Sequence, residues 1–312
     1  MSNSAYISVL IPAYSRSLYL IRSLQSLSIQ TYNCFEVIIT DDSPDDVIES
    51  YIKTTDYAFP IKYYRNSPPK GTPLNWTEGM QYASGEWIKV IHDDDWLSDE
   101  NALQLFADAA KENVDCIFSG YMAYYEGTKK EINQTISQKR FQKIKKHPNL
   151  LFVSNELGSP STVMFRKSIS ELYDPALKWL VDIEAYIRML RNYHCVYVDN
   201  PLIKMSLNET QVTNDCFRNP SVEVYEALVY YRKHGTDTHK SIKAYDAWWR
   251  LIRNLSVREN NMLKKYSRGE TIPDFLQFIV RFQSFIPKVM LKSGVISKLL
   301  MSVCYCLFLS KK

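Results

Sequence analysis

None of the six cysteines (Cys34, Cys116, Cys195, Cys216, Cys304 and Cys306) stands in a CxxC pair. That absence leaves reduced core thiols as the expectation, as in a cytoplasmic protein. No uninterrupted apolar run approaches the roughly 18 to 20 residues that span a bilayer. The opening MSNSAYISVLIPAYSR lacks a basic segment followed by a long apolar stretch, so no signal peptide is expected. A net charge of +4 is too mild to argue for nucleic acid, and outside the tail no basic run interleaves with aromatics. Repeats and low-complexity segments are absent as well. What the chain does have is length and apolar content: 312 residues, 46% of them hydrophobic. That suffices for one large α/β domain of about 200 to 250 residues plus an extension.

The first half alternates. Tyr6–Ile11 reads as a buried strand ending at Pro12, and Leu20, Leu24 and Leu27 then recur at helical spacing. Phe35–Thr40 is a second strand, running into Asp41 and Asp42; Ile61–Arg65 is a third, followed by the loop NSPPKGTP. A helix around Leu74–Ala83 precedes a strand over Glu86–Ile91, and Ser98 opens a helix over roughly Asp99–Lys111. Strands separated by helices predict crossovers and a parallel sheet. Further on, Asp115–Tyr125, Ser161–Arg166, His194–Asp199 and Leu202–Ser206 read as strands and Leu180–Arg191 as a helix; helical patterns dominate from about Pro220.

In an open parallel sheet, ligands bind beyond the carboxyl ends of the strands. Three predicted strands end in Pro12-Ala13-Tyr14, Asp41-Asp42 and His92-Asp93-Asp94-Asp95. Asp is common in turns and caps, so one such end carries little weight; three within a hundred residues carry more. The acidic triplet, three like charges in a row, makes sense if Mg²⁺ or Mn²⁺ lies between it and a diphosphate, because these cations take hard oxygen ligands. The alternative keeps Asp95 or Asp99 as a helix cap and Asp93 in solvent.

The run SVLIPAYSR…LQSLSIQTYNCFEVIITDDSPDD…YYRNSPPKGTPLNWTEGMQYASGEWIKVIHDDDWL resembles the nucleotide-binding half of the family 2 glycosyltransferases, inverting enzymes of GT-A fold. The likeness is close over roughly residues 5 to 110 and looser to about 215. It implies a Rossmann-like nucleotide half over about 1–110, a mixed acceptor half over about 111–215 and a helical extension over 216–312. Pro12, Ala13 and Tyr14 would line the base and ribose, and Asp41, with Asp42, would accept from the base. Asn66, Lys70, Gly71 and Asn75 would lie beside the nucleotide. Asp94 matches the second Asp of the usual Asp-x-Asp-Asp and is the implied metal ligand, with Asp95 as a further one. His92 replaces the first Asp; with Asp93 it would touch the nucleotide sugar, and its neutral imidazole could equally ligate the metal or simply fill space.

An inverting transfer needs a general base for the acceptor hydroxyl. In LKWLVDIEAYIRML, Asp182 with Arg188 resembles the family's base and its following Arg, while Glu184 is the reserve. Position alone allows Asp182 to be only a helix cap. Gly158 and Ser159, in ELGSPSTVMFR, resemble the acceptor-side loop, and an ordinary turn explains them almost as well. Asn208, in KMSLNETQVT, stands where relatives often carry His as an extra metal or diphosphate contact. Its carbonyl could coordinate a hard cation, and it and Gln211 would bond diphosphate or a flexible lid.

From Asn260 onward cations outnumber acids and interleave with apolar residues, the pattern of amphipathic helices on an anionic membrane. A helical appendage or a dimer contact is the alternative. The resemblance implies a UDP-sugar donor, Mn²⁺ or Mg²⁺, and a polyprenyl-diphosphate-linked acceptor in O-antigen or capsule assembly. The enzyme would be peripheral on the cytoplasmic face of the inner membrane. Two other readings stay open. A sugar-phosphate nucleotidyltransferase would need a Gly-rich loop where IPAYSRS has no glycine. A non-catalytic nucleotide-sugar-binding scaffold would accommodate His92 and Asn208.

Overall fold

The computed structural model describes residues 6–169, 172–208, 216–235 and 239–310. Its first half alternates as the periodicity predicts: β1 (Ile7–Ala13), α1 (Ser17–Ser28), β2 (Phe35–Asp41), α2 (Val47–Thr54), β3 (Ile61–Arg65), α3 (Leu74–Gln81) and β4 (Trp87–Val90). β1 pairs in parallel with both β2 and β4, and β2 with β3. Every residue of β1 and β2 is buried, as central strands covered on both faces require. Ile7, Val9 and Ile11 share one core with Leu20, Leu24 and Leu27 of α1. Leu10 points the other way, toward α3, and Gly79 is what lets that helix come close. A Cβ at Gly79 would stand 2.2 Å from Leu10 Cδ1.

β1 runs two residues past the end expected at Ile11, through Pro12. Ile91 N–H donates to the Leu10 carbonyl at 2.9 Å, and Leu10–Val90 is the last β1–β4 pair. Alternation therefore aims Pro12 at a side that β4 has already left, so its missing N–H costs no ladder bond.

After β5 (Trp96–Leu97) and α4 (Ala102–Ala109) the sheet turns mixed, through β6 (Cys116–Tyr125), β7 (Lys130–Gln134), β8 (Val163–Arg166) and β9 (Cys195–Leu207). The strand order is β3-β2-β1-β4-β8-β6-β9-β5, with β7 on β6. Two strands expected at 194–206 are one. The break anticipated at Asn200-Pro201 is absorbed by register shifts around Gly120, opposite Pro201, after which pairing resumes. The helix expected from Asp99 begins at Ala102, because Asp99 instead accepts the Asn101 N–H at 2.9 Å in a turn. β7 is a polar edge strand without a strong apolar alternation. α5 (Gln138–Lys146) opens at Ser137, whose Oγ accepts the Arg140 N–H at 3.2 Å.

The chain forms two compact units. The sheet lies wholly in the first, which takes the described residues up to Pro148, Glu156–Pro175 and Glu184 to Asn208. The second takes Asn149–Asn155, Ala176–Ile183 and the described residues from Cys216 on. It contains α6 (Leu150–Val153), the start of α7 (Val181–Asn192), α8 (Pro220–His234), α9 (Ile242–Asn254), α10 (Asn260–Tyr266), α11 (Asp274–Ser284), α12 (Lys288–Lys292) and α13 (Gly294–Leu309). Aromatic rings fill its core: Phe152 stacks on Tyr230 at 4.2 Å, and Trp248 packs on Phe152 at 4.9 Å and on Phe275 at 5.4 Å.

Candidate active site

The carboxyl end of β4 breaks into a turn closed by Asp95 N–H on the His92 carbonyl at 2.9 Å. That turn gathers His92, Asp94 and Asp95 so that one ligand atom from each lies within 4.8 Å of the others. All three aspartates, Asp93 to Asp95, are buried. Their main internal counter-ion is Arg16, a residue the sequence reading passed over. It pairs with Asp93 Oδ1 at 2.5 Å and with Asp94 Oδ2 at 2.8 Å. Just before it, Ser15 adopts a left-handed φ of 56°, and its N–H donates to Ser43 Oγ at 2.8 Å. The Tyr14 N–H completes the tie between strand ends by donating to Asp93 Oδ2 at 3.1 Å.

The loop at 159–161 braces the same turn. Ser161 Oγ accepts the His92 N–H at 2.9 Å, and Ser159 Oγ donates to Asp95 Oδ2 at 3.2 Å. Ser159, expected on the acceptor side, is thus joined to the aspartate cluster. Gly158 is needed for this turn: its φ is +86°, and a Cβ would meet Tyr121 and Thr162 at 2.9 Å. From β9, the Ser206 N–H donates to Asp95 Oδ1 at 3.1 Å. Asn208 donates through Nδ2 to Asp94 Oδ2 at 3.3 Å. Asn208 thus lies beside Asp94 at the edge of the cluster. Gln211 lies outside the described residues.

Burial dominates the electrostatics here. It raises Asp93 to about 7, against the pull of Arg16. It raises Asp95 to about 8, helped by the neighbouring Asp94 charge. It lowers His92 to about 4, opposed by Asp94, so the imidazole is neutral near pH 7. His92 Nε2 is buried and has no hydrogen-bond partner among the described residues; the ring packs on Trp76 with centroids 4.8 Å apart. An orphaned neutral imidazole nitrogen beside two crowded carboxylates is a set that fits a divalent cation, which would satisfy the nitrogen and relieve the repulsion. Mn²⁺ suits a mixed nitrogen and oxygen set better than Mg²⁺ does.

The end of β2 is built differently. Asp41 accepts the Ser43 N–H at 2.8 Å and the Tyr63 hydroxyl at 2.7 Å. Asp42 accepts Asn66 Nδ2 at 2.8 Å, the Lys70 N–H at 3.0 Å and the Gly71 N–H at 2.7 Å. Asn66 also donates to Asn75 Oδ1 at 2.9 Å, and Asn75 donates to the Thr40 carbonyl at 3.0 Å. Asp42, Asn66 and Asn75 therefore shape the 66–71 loop, while Lys70 Nζ pairs with Glu78 at 2.9 Å. At the end of β1, Pro12 and Ala13 are buried and Tyr14 is exposed.

Of the two candidate bases, Glu184 is fully buried in a bidentate pair with Arg188, at 2.9 and 2.8 Å. Arg188, which follows Asp182 at the family's spacing, lies one helical turn from Glu184 and pairs with it. Asp182, in the second unit, is half-buried. It accepts Asn155 Nδ2 at 2.9 Å and the Ile183 N–H at 2.8 Å, and burial raises it to about 7.

The sequence pattern of Glycosyl transferase family 2 matches residues 8–173. The Escherichia coli K12 protein WcaA, named for glycosyl transfer in colanic acid biosynthesis, is 25% identical over 288 residues, which cover 86% of this chain and 100% of that one. A Campylobacter jejuni enzyme named GalNAc(5)-diNAcBac-PP-undecaprenol beta-1,3-glucosyltransferase is 27% identical over 170 residues, 53% of each chain. The match spans about half the length of some curated relatives. Among solved structures, Staphylococcus aureus TarS 1-349 with UDP-GlcNAc aligns at TM-score 0.57 and 15% identity, over 96% of this chain and 87% of that one. The mannosyltransferase PcManGT of Pyrobaculum calidifontis, with GDP-Man and Mn²⁺, aligns at 0.58 and 10%, over 98% and 87%. These structures share the GT-A fold with this chain. A sheet of that fold with its acidic turn at the end of β4, under a family pattern that covers more than half of the sequence, makes this chain a member of glycosyltransferase family 2.

Proposed function

We propose that this chain transfers a sugar, with inversion, from a UDP-sugar to a polyprenyl-diphosphate-linked oligosaccharide during O-antigen or capsule assembly. The observation that carries the reading is the His92–Asp94–Asp95 cluster with its orphaned imidazole nitrogen. Those three residues would hold Mn²⁺ or Mg²⁺, which supplies positive charge for the diphosphate leaving group. Pro12 to Tyr14 and Asp41 line the nucleotide, and the Asp42–Asn66–Asn75 network keeps the Lys70 loop in shape beside it. Gly158 and Ser159 belong to the acceptor side. Asp182 takes the acceptor proton. Its value of about 7 leaves it partly ionised at neutral pH, matched to a general base. The domain boundaries at about 110 and 215 remain part of the proposal.

The tail supports a peripheral place on the cytoplasmic face of the inner membrane. Among the described residues no helix is long and apolar enough to cross a bilayer. Phe285, Val289, Val295, Leu299, Val303 and Leu307 are nonetheless exposed. Between Phe275 and Lys312 the chain carries Arg281, Lys288, Lys292, Lys298, Lys311 and Lys312 but no Asp or Glu. Apolar side chains in water beside unopposed cations are what an anionic lipid surface recognises.

The test is donor turnover with Mn²⁺ across UDP-, GDP- and dTDP-sugars, followed by transfer to a lipid-linked acceptor by wild type and Asp182→Asn. Wild type turns over a UDP-sugar, and Asp182→Asn keeps nucleotide binding but loses transfer by about 10²-fold or more. Transfer by Asp182→Asn at the wild-type rate sinks the base assignment, and failure with every donor leaves only the scaffold.

A further inference from the structure

Glu226 of α8 is buried to 2% exposure, yet it is a carboxylate. Its Oε1 accepts the Lys178 N–H at 2.9 Å, and its Oε2 accepts the Trp179 and Leu180 N–H groups at 2.9 and 2.8 Å. Three successive amides, in the segment immediately before α7, converge on one side chain 46 to 48 positions further along the chain. A helix start leaves its first N–H groups without partners, and a local Ser, Thr or Asp ordinarily caps them at little cost. Burying a carboxylate for that purpose is expensive. Burial does push Glu226 up, with its three amide bonds and Arg268 opposing.

The arrangement has a consequence for Asp182. Asp182 itself accepts the adjacent Ile183 N–H on Oδ1 and Asn155 Nδ2 on Oδ2, and its own N–H also bonds it. Glu226 holds the approach to the helix, so the 178–180 amides make no claim on Asp182. The groups that face Asp182 are the Ile183 amide, its own amide, Asn155 and, further off, Glu226. Those around Glu226 include Glu223 and Arg268.

We infer that Glu226 is a positioning residue for transfer: by clamping the 178–180 backbone it fixes the orientation of the Asp182 carboxylate. This makes a helix beyond residue 215 part of the catalytic apparatus. The inference rests on Asp182 being the base.

The experiment compares Glu226→Gln and Glu226→Asp with wild type and with Asp182→Asn. A Gln carboxamide turns an NH₂ toward amide donors and removes the charge. We expect kcat for transfer to fall about tenfold or more, as small misplacements of a reacting group do, while the donor KM is unchanged. Asp182 acts when ionised, so activity rises with pH through its titration. Removing the Glu226 charge moves that acidic limb to lower pH. Glu226→Asp keeps the charge and shortens the reach, so kcat falls and the limb stays in place. If Glu226→Gln lacks a cooperative melt, Glu226→Asp decides alone: wild-type kcat overturns the inference. A loss in Glu226→Gln that is equal at every pH, with the limb unmoved, also overturns it, because that is what a purely structural residue gives. Should Asp182→Asn retain transfer, the base assignment falls and the inference falls with it. An inactive Asp182→Asn beside two unaffected Glu226 variants refutes the inference alone.

Discussion

Arg16→Gln tests the electrostatic account of the aspartate turn most directly. Wild-type Arg16 makes two charge-assisted bonds, at 2.5 and 2.8 Å, to carboxylates whose side chains are 1% and 6% exposed. Gln keeps a polar side chain of moderate length and removes the charge. Removing one partner of a buried ion pair costs about 3–5 kcal/mol, because the other charge is left in a poor solvent. The Arg16 side chain is itself 22% exposed, so water screens part of the interaction and the expected loss is about 2–4 kcal/mol. With EDTA present, the urea midpoint should drop by about 0.7 M or more, at a slope of about 1–3 kcal/mol per M. Mn²⁺ at 100 times its Kd should add about 2.7 kcal/mol to the folded state of either protein, so the variant with Mn²⁺ should approach the stability of wild type in EDTA. A loss below about 0.5 kcal/mol in EDTA would show that water, and not Arg16, balances these carboxylates.

Two further outcomes follow from the same chemistry. Asp93 and Asp182 at about 7 and Asp95 at about 8 all lie above an unfolded value of about 3.9, so each binds its proton more tightly in the folded state. The metal-free protein should therefore lose stability from these carboxyls as pH rises from about 4 to about 8. His92, lowered to about 4, opposes this up to its unfolded value of about 6.5, so the net loss is read between about 6.5 and 8. Melting in EDTA across that window checks the sign, and a Tm that climbs with pH refutes it. On the tail, Leu299→Glu with Val303→Glu puts charge on exposed positions and should leave the fold intact. Co-sedimentation with phosphatidylglycerol vesicles should fall about tenfold or more, from lost apolar burial. Unchanged binding would mean the stripe is not the lipid-facing surface.

The sequence alone carried the parallel half of the sheet, because a central strand must be a continuous apolar run and a helix must repeat every third or fourth residue. Ile7–Ala13 and Phe35–Asp41 meet the first condition, and Leu20, Leu24 and Leu27 the second. Strand ends rich in Asp were legible for the same local reason. β9 was read as two strands because Pro201 signals a break, and only the register shift opposite Gly120 shows how pairing survives it.

The site's composition is a different matter. Arg16 lies 77 and 78 residues from the carboxylates it pairs with, and nothing local marks it as their partner. Ser159 was read as acceptor loop or ordinary turn and Ser161 as a strand start; only the fold sets them against Asp95 and His92. The Arg188–Glu184 pair, four positions apart on one helix, is one the helical repeat alone allows. What the sequence determined by itself is the fold and the short runs that chain neighbours can enforce. Which charges meet, that Asn208 reaches Asp94, and which buried acid holds the segment before α7 were decided by tertiary structure. Those outcomes depend on distances and desolvation between groups that the chain order keeps far apart.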